Sequence, residues 1–271
     1  MLGAISLTAA LVSCRGNAAR VEAATPLATP SPRAAEPERL TVRVVARYPH
    51  DREAFTQGLL WHDAKLYEST GLYARSSIRR VDLQTGKVEA QSPLAATFFG
   101  EGLALVGDEL VQLTWREGRA LRWKRSSLAL AGESTYEGEG WGLTFDGAHL
   151  IQSDGSARLT FRDSKTFAVT ATRDVADGGQ PVALLNELEL VDGALYANIW
   201  TTDEIVRIDP ATGHVTARID ASPLREELMG QGIADDAVLN GIAWRPETKT
   251  FLLTGKLWPT LFEVRLVPAG G

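Results

Sequence analysis

From Leu40 onward the chain is a series of short apolar runs. They are cut by turn signals such as Asp82 to Gly86, Asp146-Gly147, Asp192-Gly193 and Asp209 to Gly213. Short runs bounded by Asp and Gly read as β-strands, and no long stretch keeps the 3.6-residue period of a helix. Pro223 to Met229 is the one short helix the pattern predicts. The runs also repeat. Gln57-Gly58-Leu59, Glu101-Gly102-Leu103, Trp141-Gly142-Leu143, Asn186-Glu187-Leu188 and Asn240-Gly241-Ile242 each open an apolar run that meets a turn. A second run follows, ending at Gly71, Trp115, Gly155, Trp200 and Gly255 in turn. Several copies add a third run, as in Ser77 to Asp82, Glu204 to Asp209 and Leu261 to Leu266.

The starts at 57, 101, 141, 186 and 240 lie 44, 40, 45 and 54 residues apart, the span of one four-stranded propeller blade. One such sheet cannot bury both faces, so the copies must stack on one another. The predicted fold is therefore all-β, a five-bladed β-propeller. The last copy has three evident strands, while Leu40 to Arg47 is a strand left over before the first. That N-terminal strand is expected to complete the last blade and close the ring, covering edges that would otherwise stay unpaired. A β-sandwich of similar length is the competing fold.

The first residues do not fit this pattern. Leu2 to Val12 is an apolar run too short to span a bilayer, which takes roughly 20 residues. It has the length of a signal-peptide core, and Leu11-Val12-Ser13-Cys14 resembles the bacterial lipobox, although Met1-Leu2-Gly3 carries no positive charge. A plain export signal with a chance cysteine is the blander alternative. Residues 15–39 are rich in alanine and proline, hold no aromatic residue and read as a flexible tether. The expected layout is a signal peptide with lipobox at 1–14, the tether at 15–39 and a catalytic propeller at 40–271. It implies an exported, periplasmic or cell-envelope lipoprotein, monomeric, touching the membrane only through a lipid on Cys14.

Composition narrows the chemistry. The formal net charge of −6 argues against nucleic acid as a partner, since such binders present a basic face. Cys14 is the only cysteine, and the four histidines (His50, His62, His149, His214) sit at no metal-ligand spacing. Disulfide frameworks, Cys-rich zinc sites and CxxC redox centres are thereby excluded.

In a propeller the first strand of each blade lines the central channel, so the repeat starts converge. They bring Gln57, Glu101, Trp141, Asn186 and Asn240 together, with Trp115, Trp200 and Lys256 at or beside the second-run ends. A tryptophan alone is more often blade packing, and Glu101 alone is as readily a solvated charge at a channel mouth. Convergence of one carboxylate, several carboxamides, three indoles and an ammonium is what favours a site. Aromatic walls with few fixed polar groups are how small ligands are usually held.

Here the sequence resembles the glutaminyl-peptide cyclotransferases (glutaminyl cyclases) of the plant and bacterial type. The resemblance rests on Phe55-Thr56-Gln57-Gly58-Leu59, Phe99-Gly100-Glu101-Gly102-Leu103, Thr114-Trp115 and Gly140-Trp141-Gly142-Leu143. It continues through Leu185-Asn186-Glu187-Leu188-Glu189, Asn198-Ile199-Trp200, Leu239-Asn240-Gly241-Ile242-Ala243-Trp244 and Thr254-Gly255-Lys256. It covers about residues 40–268 and implies a five-bladed propeller. It further implies conversion of an N-terminal glutamine of peptides or proteins to pyroglutamate with release of ammonia, with no cofactor required. By motif position, the family's site falls on Phe55, Gln57, Phe99, Glu101, Trp115, Trp141, Asn186, Trp200 and Lys256.

The residue types suit that reaction. The substrate's own α-amine attacks its γ-carboxamide, so a neutral amine, an oxyanion partner and a proton for the departing nitrogen are needed. Glu101 is the candidate proton shuttle. Gln57, Asn186 and Lys256 are candidates to orient the carboxamide and stabilise the oxyanion, while Phe55, Phe99, Trp115, Trp141 and Trp200 wall the pocket. Glu187 and Glu189 lie on the same strand as Asn186, one of them expected on the blade's other side. Two alternatives stay open. Glu101, Asn186 and Asn240 could ligate calcium, structurally in the channel or in a propeller lactonase or other hydrolase. The propeller could also be a non-catalytic peptide-binding scaffold.

Overall fold

The computed structural model of the chain describes residues 3, 36–234 and 236–270. Nearly all of the expected signal peptide and tether, Cys14 included, lies outside the described residues. The chain folds into β-strands with one short helix among the described residues.

The first strand, β1 (Glu38–Pro49), is left unpaired by its nearest neighbours in sequence. Four-stranded antiparallel sets then follow one another. The first is β2 (Thr56–His62), β3 (Lys65–Thr70), β4 (Ser77–Val81) and β5 (Val88–Pro93). The second is β6 (Gly100–Val106), β7 (Glu109–Thr114), β8 (Arg119–Lys124) and β9 (Leu130–Thr135). The third is β10 (Leu143–Phe145), β11 (His149–Gln152), β12 (Arg158–Asp163) and β13 (Val169–Asp174). A small hairpin, β14 (Ala176–Asp177) and β15 (Gln180–Pro181), leads into β16 (Leu185–Val191), β17 (Ala194–Ile199), β18 (Glu204–Ile208) and β19 (Val215–Asp220). The helix α1 (Ser222–Met229) precedes β20 (Leu239–Arg245), β21 (Thr250–Gly255) and β22 (Thr260–Pro268). Its insertion explains the longest repeat spacing.

The leftover N-terminal strand completes this last set. β1 runs antiparallel to β22 from Leu40 opposite Pro268 to Pro49 opposite Thr260. At its start it also pairs in parallel with β19, Glu38 opposite Ala217 through Thr41 opposite Asp220. The strand is longer than the expected Leu40 to Arg47, because these two ladders satisfy its backbone beyond the apolar core of the segment.

Burial falls from the first strand of each set to the fourth. β2 and β6 open on fully buried residues, whereas β5 and β9 are largely exposed and β13 is exposed throughout. Apolar residues fill the spaces between consecutive sets. Ile78, Leu103, Leu110 and Leu121 pack between the first and second, and Val111, Leu113, Leu143 and Leu150 between the second and third. Ile151, Leu159, Leu188 and Val206 join the third to the fourth, and Ile205, Ile219, Ile242 and Phe262 the fourth to the last. Leu59, Leu66, Leu252 and Leu261 join the last set to the first, which makes the order cyclic. Each such side chain contributes about 1.5–3 kcal/mol on burial, so every interface between sets carries its own hydrophobic core.

The first strands approach one another closely, and the repeated glycine explains how. A Cβ on Gly102 would lie 2.4 Å from the amide nitrogen of Leu143, and one on Gly142 would lie 2.0 Å from the carbonyl oxygen of Asn186. No other residue fits there without moving a backbone. In the fourth copy the equivalent position is Glu187, whose buried carboxylate reaches across to the first strands of two other sets: Oε1 accepts from the amide of Leu59 at 3.1 Å and Oε2 from the amide of Ile242 at 2.8 Å. One side chain on β16 thereby ties β2 and β20.

A buried ionic network fastens the seam where the last set meets the first. His50, just after β1, is bonded through Nδ1 to the Trp258 carbonyl at 2.7 Å and through Nε2 to Oε1 of Glu68 at 3.0 Å. Glu68 also accepts from Thr56 at 2.6 Å and from Nε of Arg79 at 2.8 Å, and Arg79 reaches Asp51 at 2.9 Å. Burial alone would push the imidazole's proton affinity down, but the adjacent Glu68 carboxylate overrides it and raises the His50 pKa above its ordinary 6.5. Glu68 is held well below the carboxylate range: burial opposes this, and Arg79 and His50 outweigh it. With an acceptor at each ring nitrogen, the doubly protonated imidazolium fits the site.

Candidate active site

One cavity of about 270 Å³ is lined by Phe55, Gln57, Phe99, Glu101, Trp115, Trp141, Asn186, Trp200 and Lys256. These are the nine residues singled out from the repeat and the motif positions, brought together from four of the sets and the last. Gln57 and Glu101 sit near the starts of β2 and β6, and Asn186 near the start of β16. Phe55, Phe99 and Trp141 precede first strands, while Trp115, Trp200 and Lys256 follow second strands. Asn240, the fifth repeat start, does not line the cavity and stands behind Gln57.

Glu101 lies at the cavity floor, only 4% exposed. Its Oε1 accepts from Nε2 of Gln57 at 2.8 Å, and the Gln57 carbonyl oxygen accepts from Nδ2 of Asn240 at 3.1 Å. Asn240 is itself anchored to the Thr56 carbonyl at 2.9 Å. Gln57 therefore spends one of its two amide hydrogens on Glu101 and its acceptor on Asn240, a use that the sequence did not separate from carboxamide binding. Burial pushes the Glu101 carboxyl well above the usual range. The Lys256 ammonium opposes that shift, and the charges of Glu117 and Glu139 add to it.

Lys256 is 5% exposed, with Nζ 4.8 Å from the centre of the Phe55 ring. Burial pushes its ammonium pKa down, and Glu101 partly restores it. Neither the Lys256 ammonium nor the side chain of Asn186 makes a hydrogen bond among the described residues, and the Asn186 Oδ1 is fully buried. A buried polar group without a partner is costly, so both are positioned to bond with something that enters the cavity.

The walls are aromatic and mutually fixed. Phe99 packs edge-on against Phe55 at 5.9 Å and Trp115 at 5.6 Å between ring centres, and Trp141 against Trp200 at 5.2 Å. Trp200 is 37% exposed and forms the outer lip. Sequence reasoning missed Glu139, whose carboxylate accepts from the indole nitrogens of Trp115 and Trp141. It also missed Glu117, which accepts from the hydroxyl of Tyr73 at 3.0 Å and the amide of Phe99 at 3.3 Å.

The two acidic neighbours of Asn186 have a different use from Glu101. They do not face opposite sides of the sheet: Glu187 accepts from Ile242 and Glu189 from Trp244, at 2.7 Å, on the same strand β20. Residues two apart in a strand share a face, which is the physical reason. Burial raises both carboxyls, Glu189 to about 8. Among the described residues, no cluster of three or more His, Cys, Asp or Glu side chains is arranged to hold a metal ion.

Comparison with known proteins adds to this geometry. Residues 17–266 match the family model described as glutamine cyclotransferase. The chain is 42% identical over 230 residues to a glutaminyl-peptide cyclotransferase of Arabidopsis thaliana, covering 84% of this chain and 72% of that protein. A crystal structure of glutaminyl cyclase from Myxococcus xanthus is similar with a TM-score of 0.82 and 42% identity, covering 86% of this chain and 100% of that one.

Proposed function

The chain belongs to the glutamine cyclotransferase family, and we propose on that footing that its cavity converts the N-terminal glutamine of peptides to pyroglutamate with release of ammonia. The observation that carries this reading is a buried carboxylate, held by Gln57, in an aromatic cavity that also contains the buried Lys256 ammonium and a carboxamide oxygen, Asn186 Oδ1, without a hydrogen-bond partner. In the reaction the α-amino nitrogen bonds to the γ-carbon of the same residue and the bond from that carbon to the amide nitrogen breaks. Glu101 takes a proton from the attacking amine and delivers it to the leaving nitrogen, which departs as ammonia. A carboxyl whose proton affinity is raised by burial suits both halves of that task, because a shuttle works best with a pKa near the working pH. Lys256 Nζ and Asn186 Nδ2 donate to the γ-oxygen as negative charge grows on it, and the buried Asn186 Oδ1 accepts from a substrate nitrogen. The indoles and Phe55 and Phe99 fold the glutaminyl side chain back and exclude water, which favours ring closure over hydrolysis.

The architecture in this reading is a five-bladed β-propeller. Its support is the four-strand periodicity, the cyclic order of the hydrophobic cores and the completion of the last set by β1. Export and lipidation at Cys14 belong to the same reading, supported by the pattern from Leu2 to Cys14 alone. The deciding experiment is ammonia release from a glutaminyl dipeptide by purified protein, with and without a chelator. Release that survives chelation is expected. A protein that releases no ammonia but hydrolyses lactones only when calcium is present would overturn the assignment.

A further inference from the structure

Glu139 lies between β9 and β10, outside the phase of the repeat, and is not among the residues lining the cavity. Its Oε2 accepts from Nε1 of Trp115 at 2.8 Å and from Nε1 of Trp141 at 3.0 Å. The two indoles come from different sets of strands, so a single oxygen atom fixes the angle between two walls of the pocket. Trp115 passes that orientation to Phe99, and Trp141 passes it to Trp200, through their edge-on contacts. Glu139 is held in turn: its carbonyl accepts from Nε2 of Gln152 at 2.9 Å, and the Gln152 oxygen accepts from Nε of Arg162 at 2.6 Å.

We propose that Glu139 is a positioning residue for catalysis, setting the two indole walls against the substrate's glutaminyl side chain through one shared carboxylate oxygen. This rests on the reading of the cavity as the cyclisation site. The competing role is an ion pair with Arg116, whose Nε meets the other oxygen, Oε1, at 2.9 Å. That pair is well exposed, with the Arg116 side chain 60% accessible, and exposed pairs contribute little. The indole bonds are the better shielded and decide the orientation. Burial alone would raise the Glu139 carboxyl, but the donors from Trp141, Arg116 and Trp115 hold it below its ordinary value, so it stays an ionised acceptor.

The geometry separates reach from charge. Because both indoles use Oε2, the single carbonyl oxygen of Glu139→Gln keeps both bonds while the charge is removed. Glu139→Asp keeps the charge but withdraws the oxygen by one methylene. Glu139→Gln is expected to hold kcat/KM within about threefold of wild type, and Glu139→Asp to lose at least about tenfold, since a displacement of about 1 Å in a positioning group can cost 10²-fold. Most of the Asp loss should appear in KM, because the walls grip substrate in the ground state as well. In ¹⁵N-tryptophan spectra two of the seven indole N–H signals should move in the Asp variant and stay near their places in the Gln variant. The reverse order of activities, equal losses in both variants, or both within twofold of wild type would each overturn the proposal. Glu101→Gln, assayed alongside, keeps the two readings apart. If it retains full activity the shuttle reading fails, whereas the indole signals test the Glu139 bonds whatever the reaction.

Discussion

Replacing Glu101 by Gln separates the chemistry of the cavity from its construction. The substituted side chain has the same length, and its carbonyl oxygen can still accept from Gln57, so the relay from Asn240 through Gln57 survives. What is lost is a group able to take and return a proton. General acid–base catalysis contributes about 10²–10⁴-fold, which corresponds to about 2.7–5.4 kcal/mol of barrier at 1.36 kcal/mol per tenfold. Stability should move the other way. The carboxyl's pKa is raised on folding, so its ionisation opposes the folded state increasingly as pH climbs past the ordinary 4.5. A neutral isostere escapes that cost, and the variant's Tm at pH 8 should equal or exceed that of wild type. Glu187→Gln supplies the opposite pattern. Its amide nitrogen must face one of two backbone donors that the carboxylate satisfies, which costs about 1–3 kcal/mol of stability but little turnover per folded molecule. The assay is ammonia release from a glutaminyl peptide, normalised to folded protein, with melting curves for each variant. A well-folded Glu101→Gln enzyme turning over within a few-fold of wild type would refute the shuttle and with it the assignment of the site.

Two further outcomes are expected. The raised pKa of His50 means that its contribution to stability is complete below pH 6.5 and is lost as pH rises through the raised value, so Tm should decline on the alkaline side and His50→Gln should flatten that decline. A wild-type Tm unchanged between neutral and alkaline pH would contradict the imidazolium. Removing residues 1–37 should leave a folded, active domain, whereas removing 1–49 takes away β1 with the buried Leu40 and Val42, each contributing about 1.5–3 kcal/mol; equal melting temperatures for the two truncations would refute closure by β1.

The strand periodicity was legible in the sequence because each set of strands repeats one local grammar. An Asp at the end of a third strand accepts from the amides after it, as Asp82 does from Thr85 and Asp163 from Thr166. Such turns are written in a few consecutive residues, so they survive in a one-dimensional reading. The nine cavity residues were legible for a related reason: they fall at equivalent phases of the repeat or beside its strand ends. Glu139 and Glu117 sit off that phase and act on indoles, a hydroxyl and an amide contributed by other segments. Nothing local to Gly138-Glu139-Gly140 announces a carboxylate that serves Trp115, which belongs to the preceding set. Glu187 was legible as an exception to the Gln-Gly, Glu-Gly, Trp-Gly and Asn-Gly pattern, but its use was not. A side chain spanning to β2 and β20 depends on which strands surround it, and that is fixed only when the ring is assembled. His50 and Glu68 were hidden likewise, since an isolated histidine in sequence gives no sign of the carboxylate it will meet.

The pairing of β1 with β22 has a consequence in time. Leu40 is among the first residues of the domain to be synthesised, and its partner Pro268 is among the last. The earlier sets can form as they emerge, since their ladders join neighbours in sequence. The final sheet has no outer strand until both ends of the domain are present, so its completion cannot begin before β22 has been synthesised. Contacts of such long sequence separation also slow folding. Until they form, the free edge of β22 is a template for other strands, and the nascent protein is at its most vulnerable to misassociation just before its last ladder closes.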